Sequence, residues 1–551
     1  MQLPTVRDGA PVDRRRFLRE GAGVVAALSV PALVGCGGSS TARASRAAPR
    51  VAGSGDTDTV IFDVRRSSPP NAAAWRTLSR SLSGRLVLPA DRAYAASKKL
   101  FDPRFDTARP AAIAYCASPL DVQRTVDFAR AHGIRPIPRG GGHSYGGYST
   151  GSGLVIDVTR MHTVKVTKAR KGAPATAHVG AGTRLIDLYD GLSRAGVLVP
   201  GGSCPTVGIS GLALGGGIGV LARKYGLTCD AIRSLKIVTA DGRLLTCDGG
   251  SQPDLYWASR GGGGGNFGVV TSFTFTAHPI PELTLFTVDW PWAAATEALG
   301  GWIRWLHQAP DELWSNFQLL SAGSSGLVVR SSGVFVGGKS ALTSLVNRLV
   351  STVGSTPSST FVGDPDPYLH VMLVEAGCDS GSVAECHLPS QNRAGTLQRS
   401  AYAAKSDYVG KPLPSAGLAA AANAVAHLHA EHPGLGGGLA FDAYGGAVNR
   451  VRADATAFVH RSAICAIQAT VTWGSAPSGP AFAAGEGWLA SAGKALAPYT
   501  TGGAYQNYID PRLADWQRAY YGSNLRRLSS VKRKYDPDDA FHFAQSIPLH
   551  A

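Results

Sequence analysis

Charge is scarce in this chain, and acid is scarcer than base. Asp, Glu, Lys and Arg make up only 17% of 551 residues, with 38 acids against 54 Lys and Arg. Low charge beside 44% apolar residues excludes a globally disordered chain and leaves enough apolar material for a sizeable core. No basic run is longer than the short Arg526-Arg527 and Lys532-Arg533-Lys534 pieces, and no zinc-finger or homeodomain-like pattern occurs. Nucleic acid is therefore not an expected partner despite the formal charge of +16. Residues 1–50 alone carry eight Arg against three acids. The rest of the excess reads as a basic surface suited to anionic cofactors, glycans or lipid headgroups. Eight cysteines include no Cys-x-x-Cys pair, so a structural zinc, or any other metal, is not expected. No internal repeat, coiled coil or apolar run of transmembrane length is present. What is abundant is glycine, at 68 residues and much of it clustered, as where backbone takes positive φ or closely approaches another group. The chain is too long for one ordinary domain.

The N-terminus reads as an address. Asp13-Arg14-Arg15-Arg16-Phe17-Leu18-Arg19 precedes a weakly apolar stretch from Gly21 to Leu33, too short for the roughly twenty residues of a membrane span. A basic region followed by a short apolar one is a signal-peptide pattern. The Arg pair before Phe-Leu resembles the twin-arginine export signal, with Asp13 where Ser or Thr is usual. Leu33-Val34-Gly35-Cys36 resembles a bacterial lipobox, which implies lipidation at Cys36; the alternative is a cleaved signal in which Cys36 is incidental. Residues 1–36 are thus expected to be a lipoprotein-type signal and 37–55 a flexible tether. The protein would be exported to the cell envelope or the outer face of a bacterial membrane, held by a lipid anchor only.

Further on, helices are expected at Trp75–Leu82, Pro119–His132, Arg184–Ala195 and Leu418–His429. The second has Ser118 as N-cap, Pro at its first position and Gly133 after its end. Strands are expected at Ala111–Tyr115, Ile134–Pro138, Leu154–Val158, Ala177–Val179, Leu235–Val238, Phe267–Thr276, Leu327–Val336 and Ile464–Thr472. Glycine clusters stop near residue 280, so 56–280 and 281–500 read as separate domains, with polar and aromatic signatures returning in 501–551. Cys378 and Cys386 could form a local disulfide or remain free buried thiols.

Arg139-Gly140-Gly141-Gly142-His143-Ser144 follows a strand but lacks the Gly-x-Gly-x-x-Gly spacing of a Rossmann turn. Successive small residues still allow several backbone N–H groups to converge on a pyrophosphate. Further loops follow at Gly201-Gly202-Ser203-Cys204-Pro205-Thr206-Val207-Gly208 and at Gly215-Gly216-Gly217-Ile218-Gly219. Other motifs are Arg223-Lys224-Tyr225-Gly226-Leu227, Asp254 to Gly261, Asn266-Phe267-Gly268, Tyr505-Gln506-Asn507-Tyr508, Tyr520 to Asn524, Asp536-Pro537 and Gln545 to Pro548.

Together these motifs resemble the vanillyl-alcohol-oxidase-type FAD fold and, within it, the berberine bridge enzyme-like oxidases. The resemblance spans nearly all of the chain after the signal. It implies an α+β protein with a two-part PCMH-type FAD-binding domain (56–280, core about 107–280). It also implies a substrate domain with an antiparallel sheet covered by helices (281–500), and a C-terminal segment (501–551) that returns to the FAD domain. It further implies FAD held by two covalent bonds, from His143 to the 8α carbon and from Cys204 to C6 of the flavin. Both bonds are chemically plausible, since a neutral imidazole and a thiolate are nucleophiles for an electrophilic ring. Arg139, Gly140, Gly141, Gly142, Ser144, Gly208, Gly211, Gly215, Gly216, Gly219 and Asn524 are the further expected cofactor contacts. Val207 resembles the family's oxygen gate, where a small residue accompanies oxidase behaviour.

Oxidising an alcohol needs a base for the hydroxyl proton. Tyr508 matches the family's catalytic tyrosine, and a nearby cation or hydrogen bonds would have to lower its pKa. Asp442 matches an assisting residue, whereas the glutamate that some plant members carry on the next strand corresponds to Ile467. The expected activity is a monomeric oxidase that takes hydride from a sugar or secondary-metabolite alcohol and passes electrons to molecular oxygen, yielding hydrogen peroxide. A dehydrogenase feeding a membrane acceptor, and a surface binding protein with weak catalysis, are the alternatives.

Overall fold

The computed structural model of the chain describes residues 69–379, 381–473, 476–477 and 479–551. The signal, the tether and Cys36 lie outside the described residues.

Three sheets carry the fold. The first joins β1 (Arg85–Val87), β2 (Ala112–Tyr115), β4 (Leu154–Asp157) and β3 (Pro136–Arg139) in the order β1-β2-β4-β3. Its β2, β3 and β4 are parallel. Helix Pro119–Ala131 makes the crossover from β2 to β3, and the Ser118 hydroxyl caps it by accepting from Asp121 N at 3.2 Å. The second sheet contains β5 (Val164–Thr167), β6 (Ala175–Gly180), β7 (Val197–Leu198), β8 (Ile232–Val238), β9 (Leu244–Cys247) and β10 (Val269–Pro279), in the path β5-β6-β10-β8-β9 with β7 against β10. Helix Leu185–Arg194 buries Leu185, Ile186, Leu188, Tyr189 and Leu192, the i, i+3, i+4 and i+7 stripe of an amphipathic helix.

The third sheet spans β11 (Leu283–Trp290), β12 (Leu313–Ala322), β13 (Leu327–Val336), β14 (Ser359–Val362), β15 (Ala401–Val409), β16 (Gly436–Ala443) and β17 (Cys465–Trp473). Its seven strands run in the order β14-β11-β13-β12-β16-β17-β15, every pair antiparallel. Strand parity divides its residues between two faces. Phe317, Leu319, Leu439, Phe441, Ile467 and Val471 are buried, and helices Ala295–His307, Ser415–Glu431 and Gly479–Leu496 pack on this sheet. The alternate residues face the other way, into a cavity shared with the first two sheets.

Residues beyond the third sheet pack back onto the glycine loops. The Tyr505 hydroxyl accepts from Gly217 N at 2.7 Å, Asn507 Nδ2 donates to Leu212 O at 3.0 Å, and Ile547 N donates to Asn266 Oδ1 at 2.8 Å. Lys532 is fully buried, and its ammonium donates to Asn266 O, Phe541 O and Asp536 at 2.9, 2.8 and 2.7 Å. A buried cation saturated in this way ties the C-terminal helix Leu525–Tyr535 to the loop before β10. Cys378 and Cys386 are disulfide-bonded, with Cα atoms 5.7 Å apart, which resolves the open alternative.

The helices and strands expected from sequence are all present, with ends moved by a few residues, since hydrogen bonding to neighbours sets where strands and helices stop. Among the described residues no helix is long and apolar enough to cross a membrane, and no cluster of His, Cys, Asp and Glu is arranged to hold a metal.

Candidate active site

A cavity of about 520 Å³ lies between the glycine loops and the third sheet. Arg139 to Ser144, Cys204, Val207, Gly208, Gly211, Gly219, Asp442 and Tyr508 all line it. Residues far apart in sequence thus converge on one space.

One wall is made of backbone. The loop after β3 presses against the loop carrying Cys204 so closely that a Cβ on Gly141 would lie 2.2 Å from Gly208 N. A Cβ on Gly208 would meet Gly141 N at the same distance. Each position excludes any side chain because of the other. Gly142 adopts φ +71°, which a residue with a Cβ rarely takes. The N–H groups of Gly141, Gly142, His143 and Ser144 donate to no group among the described residues. Buried or half-buried N–H groups are normally paired, so consecutive unpaired ones bordering a cavity suit an anionic ligand. Arg139 adds a cation. Its Nε donates to Asp157 at 2.6 Å while Nη1 is buried without a partner. A row of donors, a charge and a side-chain-free cradle fit the pyrophosphate of FAD.

His143 and Cys204 border the same space. His143 Nε2 lies 2.8 Å from Thr206 Oγ1, and its ring stacks on Phe101 at 4.1 Å. Burial, with Arg184 nearby, pulls the imidazole pKa down to about 3, so the ring is neutral at any ordinary pH. Cys204 behaves oppositely, because burial pushes its thiol up to about 11. The thiolate expected from sequence is disfavoured by the loss of solvent, and no charged group among the described residues offsets that loss.

The facing wall is the open side of the third sheet. Trp314, Asn316, Gln318 and Leu320 of β12, Gly438, Ala440 and Asp442 of β16, and Gln468, Thr470 and Thr472 of β17 border the cavity. Asn316 pairs with Asp442, and Ala440 with Gln468, across the strands. Burial raises Asp442 to about 6, and a hydrogen bond with Asn316 opposes the rise. Tyr508 sits in an aromatic cluster, stacked on Tyr145 at 5.6 Å and edge-on to Tyr505 at 4.9 Å. Tyr145 is edge-on to Tyr402 at 4.6 Å and accepts from Gln468 Nε2 at 3.2 Å. Burial and the nearby Asp442 carboxyl push the Tyr508 phenol well above its ordinary value.

Four sequence expectations change here. No cation is among the groups that shift the Tyr508 pKa most, and its surroundings raise it, because it is enclosed by other tyrosines and a carboxyl. Ile467 points into the helix-covered core, being paired with buried Phe441; the adjacent cavity-facing position on β17 is Gln468, an amide. Asn524 is not in the cavity wall: its Nδ2 donates to Ala453 O, Thr456 O and Ala457 O at 2.8, 3.2 and 3.3 Å and braces that loop. Gly215 and Gly216 also lie outside the lining. A Cβ there would strike Asn507 Oδ1 at 2.0 Å and Phe458 at 3.0 Å, so they let other segments of the chain approach closely. Sequence reasoning missed Tyr145, Thr206, Asn316, Trp314 and Gln468. Tyr145 and Thr206 stand within two residues of the proposed tethers, a visible signal; the sheet residues become visible only through strand parity.

Comparison with known proteins gives the same direction. Residues 110–248 match the family described as "FAD binding domain", and residues 504–548 match "Berberine and berberine like". The uncharacterized FAD-linked oxidoreductase YgaK of Bacillus subtilis is 33% identical over 477 residues, which is 85% of this chain and 97% of the relative. The structure of Physcomitrella patens BBE-like 1 superposes with a TM-score of 0.78 at 32% identity, covering 87% of this chain and 99% of that one. Xylooligosaccharide oxidase from Myceliophthora thermophila, solved with xylobiose, gives a TM-score of 0.75 at 27% identity over 87% and 100% of the two chains. With a PCMH-type FAD-binding fold and these relatives, the chain belongs to the berberine bridge enzyme-like family of FAD-linked oxidoreductases.

Proposed function

We propose that the protein is an oxidase for a hydroxylated small molecule, a sugar or a secondary-metabolite alcohol. In this reading FAD is bound covalently through both His143 and Cys204, and molecular oxygen is the electron acceptor. The observation that carries the reading is convergence: a donor-rich glycine cradle, a neutral imidazole, a thiol, a carboxyl near neutrality and a phenol all border one cavity. FAD bound there supplies a two-electron acceptor for hydride from a CH–OH group and returns the electrons to O2 as hydrogen peroxide.

The chain's own residues divide the remaining work. In the tautomer that carries its proton on Nε2 and donates it to Thr206 Oγ1, His143 would keep Nδ1 as an open nucleophile. Cys204 would have to shed a proton before its sulfur could bond, and each tether would replace a flavin C–H bond, a two-electron oxidation for which the molecular oxygen of this reading is the oxidant. Asp442 takes the substrate hydroxyl proton: above pH about 6 it is a carboxylate, a matched base at pH 7. Tyr508 stays a neutral phenol and orients the reacting hydroxyl by hydrogen bonding, a role that needs no lowered pKa. Val207, half-buried in the cavity lining, leaves room for oxygen to approach. The lipobox-like Cys36 supports placement on the outer membrane face by a lipid anchor.

Reoxidation separates the oxidase from a dehydrogenase of the same fold. Chemically reduced holoenzyme mixed with air-saturated buffer should reoxidise within about a second and release one hydrogen peroxide per flavin. Reoxidation over minutes would contradict the oxidase reading and favour an acceptor other than oxygen.

A further inference from the structure

Five of the seven buried tryptophans among the described residues pair their indole N–H. Trp257, Trp302, Trp305, Trp473 and Trp488 donate to Asp454 O, Ser315 Oγ, Leu345 O, Ala481 O and Ala424 O at 2.8 to 3.1 Å. Two buried indoles do not, Trp290 and Trp314, and of these only Trp314 borders the cavity. Trp314 is 4% exposed, so its N–H has little bulk water to fall back on. An unpaired buried donor is destabilising, and such a group at a binding site usually has a ligand to meet.

Its place on the sheet indicates what that ligand carries. Trp314 and Asn316 are two positions apart on β12 and share the cavity face, and Asn316 stands opposite Asp442 on β16. Two positions along a strand are about 7 Å. Asp442 and Trp314 thus stand on one wall of the cavity, on neighbouring strands and two residues apart in register. A simple alcohol that offers its one oxygen to Asp442 has nothing left for Trp314.

We infer that Trp314 is a substrate-binding and specificity-determining residue, whose indole N–H donates to a second oxygen of a polyhydroxylated ligand while Asp442 engages the hydroxyl that is oxidised. The inference rests on the alcohol-oxidase reading above and narrows it to polyols and saccharides.

The test uses holoenzyme, anaerobic flavin bleaching and two sets of probes. Glucose, xylobiose and N,N′-diacetylchitobiose form one set; benzyl alcohol and cyclohexanol form the other. At least one saccharide should bleach the flavin. Trp314→Phe should raise its KM about 5- to 10-fold while the limiting reduction rate and the flavin spectrum stay within about twofold. Monodeoxy forms of the active saccharide supply the ligand-side deletion, which keeps the test intact even if the variant folds poorly. One deoxy position should weaken binding to wild type and make no further difference in Trp314→Phe. Equal KM values for wild type and variant, or bleaching by single-hydroxyl alcohols alone, would overturn the assignment of Trp314 and leave the oxidase reading standing. Failure of every alcohol and saccharide to bleach a flavin that dithionite does reduce would contradict the alcohol-oxidase reading itself, and this inference with it.

Discussion

The two walls of the cavity are built by opposite means. The cradle is made of backbone, where absent side chains let N–H groups face the ligand and let two loops touch at Gly141 and Gly208. The sheet face is made of side chains on regular backbone, where Trp314, Asn316, Asp442 and Gln468 differ in chemistry but share one geometry. A backbone wall recognises a constant ligand, and a side-chain wall can be rewritten residue by residue. This arrangement fits a family that keeps FAD and varies its substrate.

The sharpest way to break the comparison is to put a side chain into the cradle. Gly141→Ala places a Cβ 2.2 Å from a backbone nitrogen, a clash that no rotamer relieves. Flavin content, read from the visible-to-ultraviolet absorbance ratio, should fall at least several-fold. Gly211→Ala is the control, since its Cβ meets no protein atom within 4 Å; that variant should fold normally. Equal loading of wild type and Gly141→Ala would remove the cradle argument.

On the sheet side, Asp442→Asn should leave flavin loading intact and slow substrate-driven reduction by about 10²- to 10³-fold. Wild-type reduction should decline below pH about 6, where Asp442 becomes protonated, and the variant should lose that limb. A wild-type profile flat from pH 5 to 7 would move the proton acceptor elsewhere.

The smallest effect concerns Glu375, at the end of helix Tyr368–Glu375. It is buried, and Oε2 has no partner. Burial and then the Asp442 carboxyl push it up to about 8 from 4.5. The folded protein therefore keeps a proton that the unfolded chain releases between those values, and stability falls as pH rises through that window. Glu375→Gln has no such proton. Its Tm should gain on wild type between pH 5 and pH 8, by the equivalent of roughly 1–4 kcal/mol. A difference independent of pH would contradict a neutral buried Glu375.

The contrast between the walls also explains what sequence could reveal. Gly140 to His143 and Gly201 to Cys204 are contiguous, so the cradle and both expected tethers were legible as strings of residues. The sheet wall is a lateral set drawn from three strands, and a single-residue error of parity turns a side chain to the other face. Ile467 and Gln468 differ by one such step, and Gln468 is the one that faces the cavity. Asn524 and the Gly215-Gly216 pair match the motif yet lie outside the cavity lining, since motif identity carries no information on whether a close contact is with ligand or with another segment of the chain. Protonation was least legible. Cys204 and Tyr508 take their raised pKa values from enclosure, and enclosure exists only after the domains close around the cavity.

The central claim, that one flavin is held at two points, is tested most directly by proteolysis and mass spectrometry of the denatured holoenzyme. The account predicts a single FAD-derived adduct cross-linking the peptide that contains His143 to the peptide that contains Cys204. Both peptides at their unmodified masses, with all flavin recovered free in solution, would contradict it.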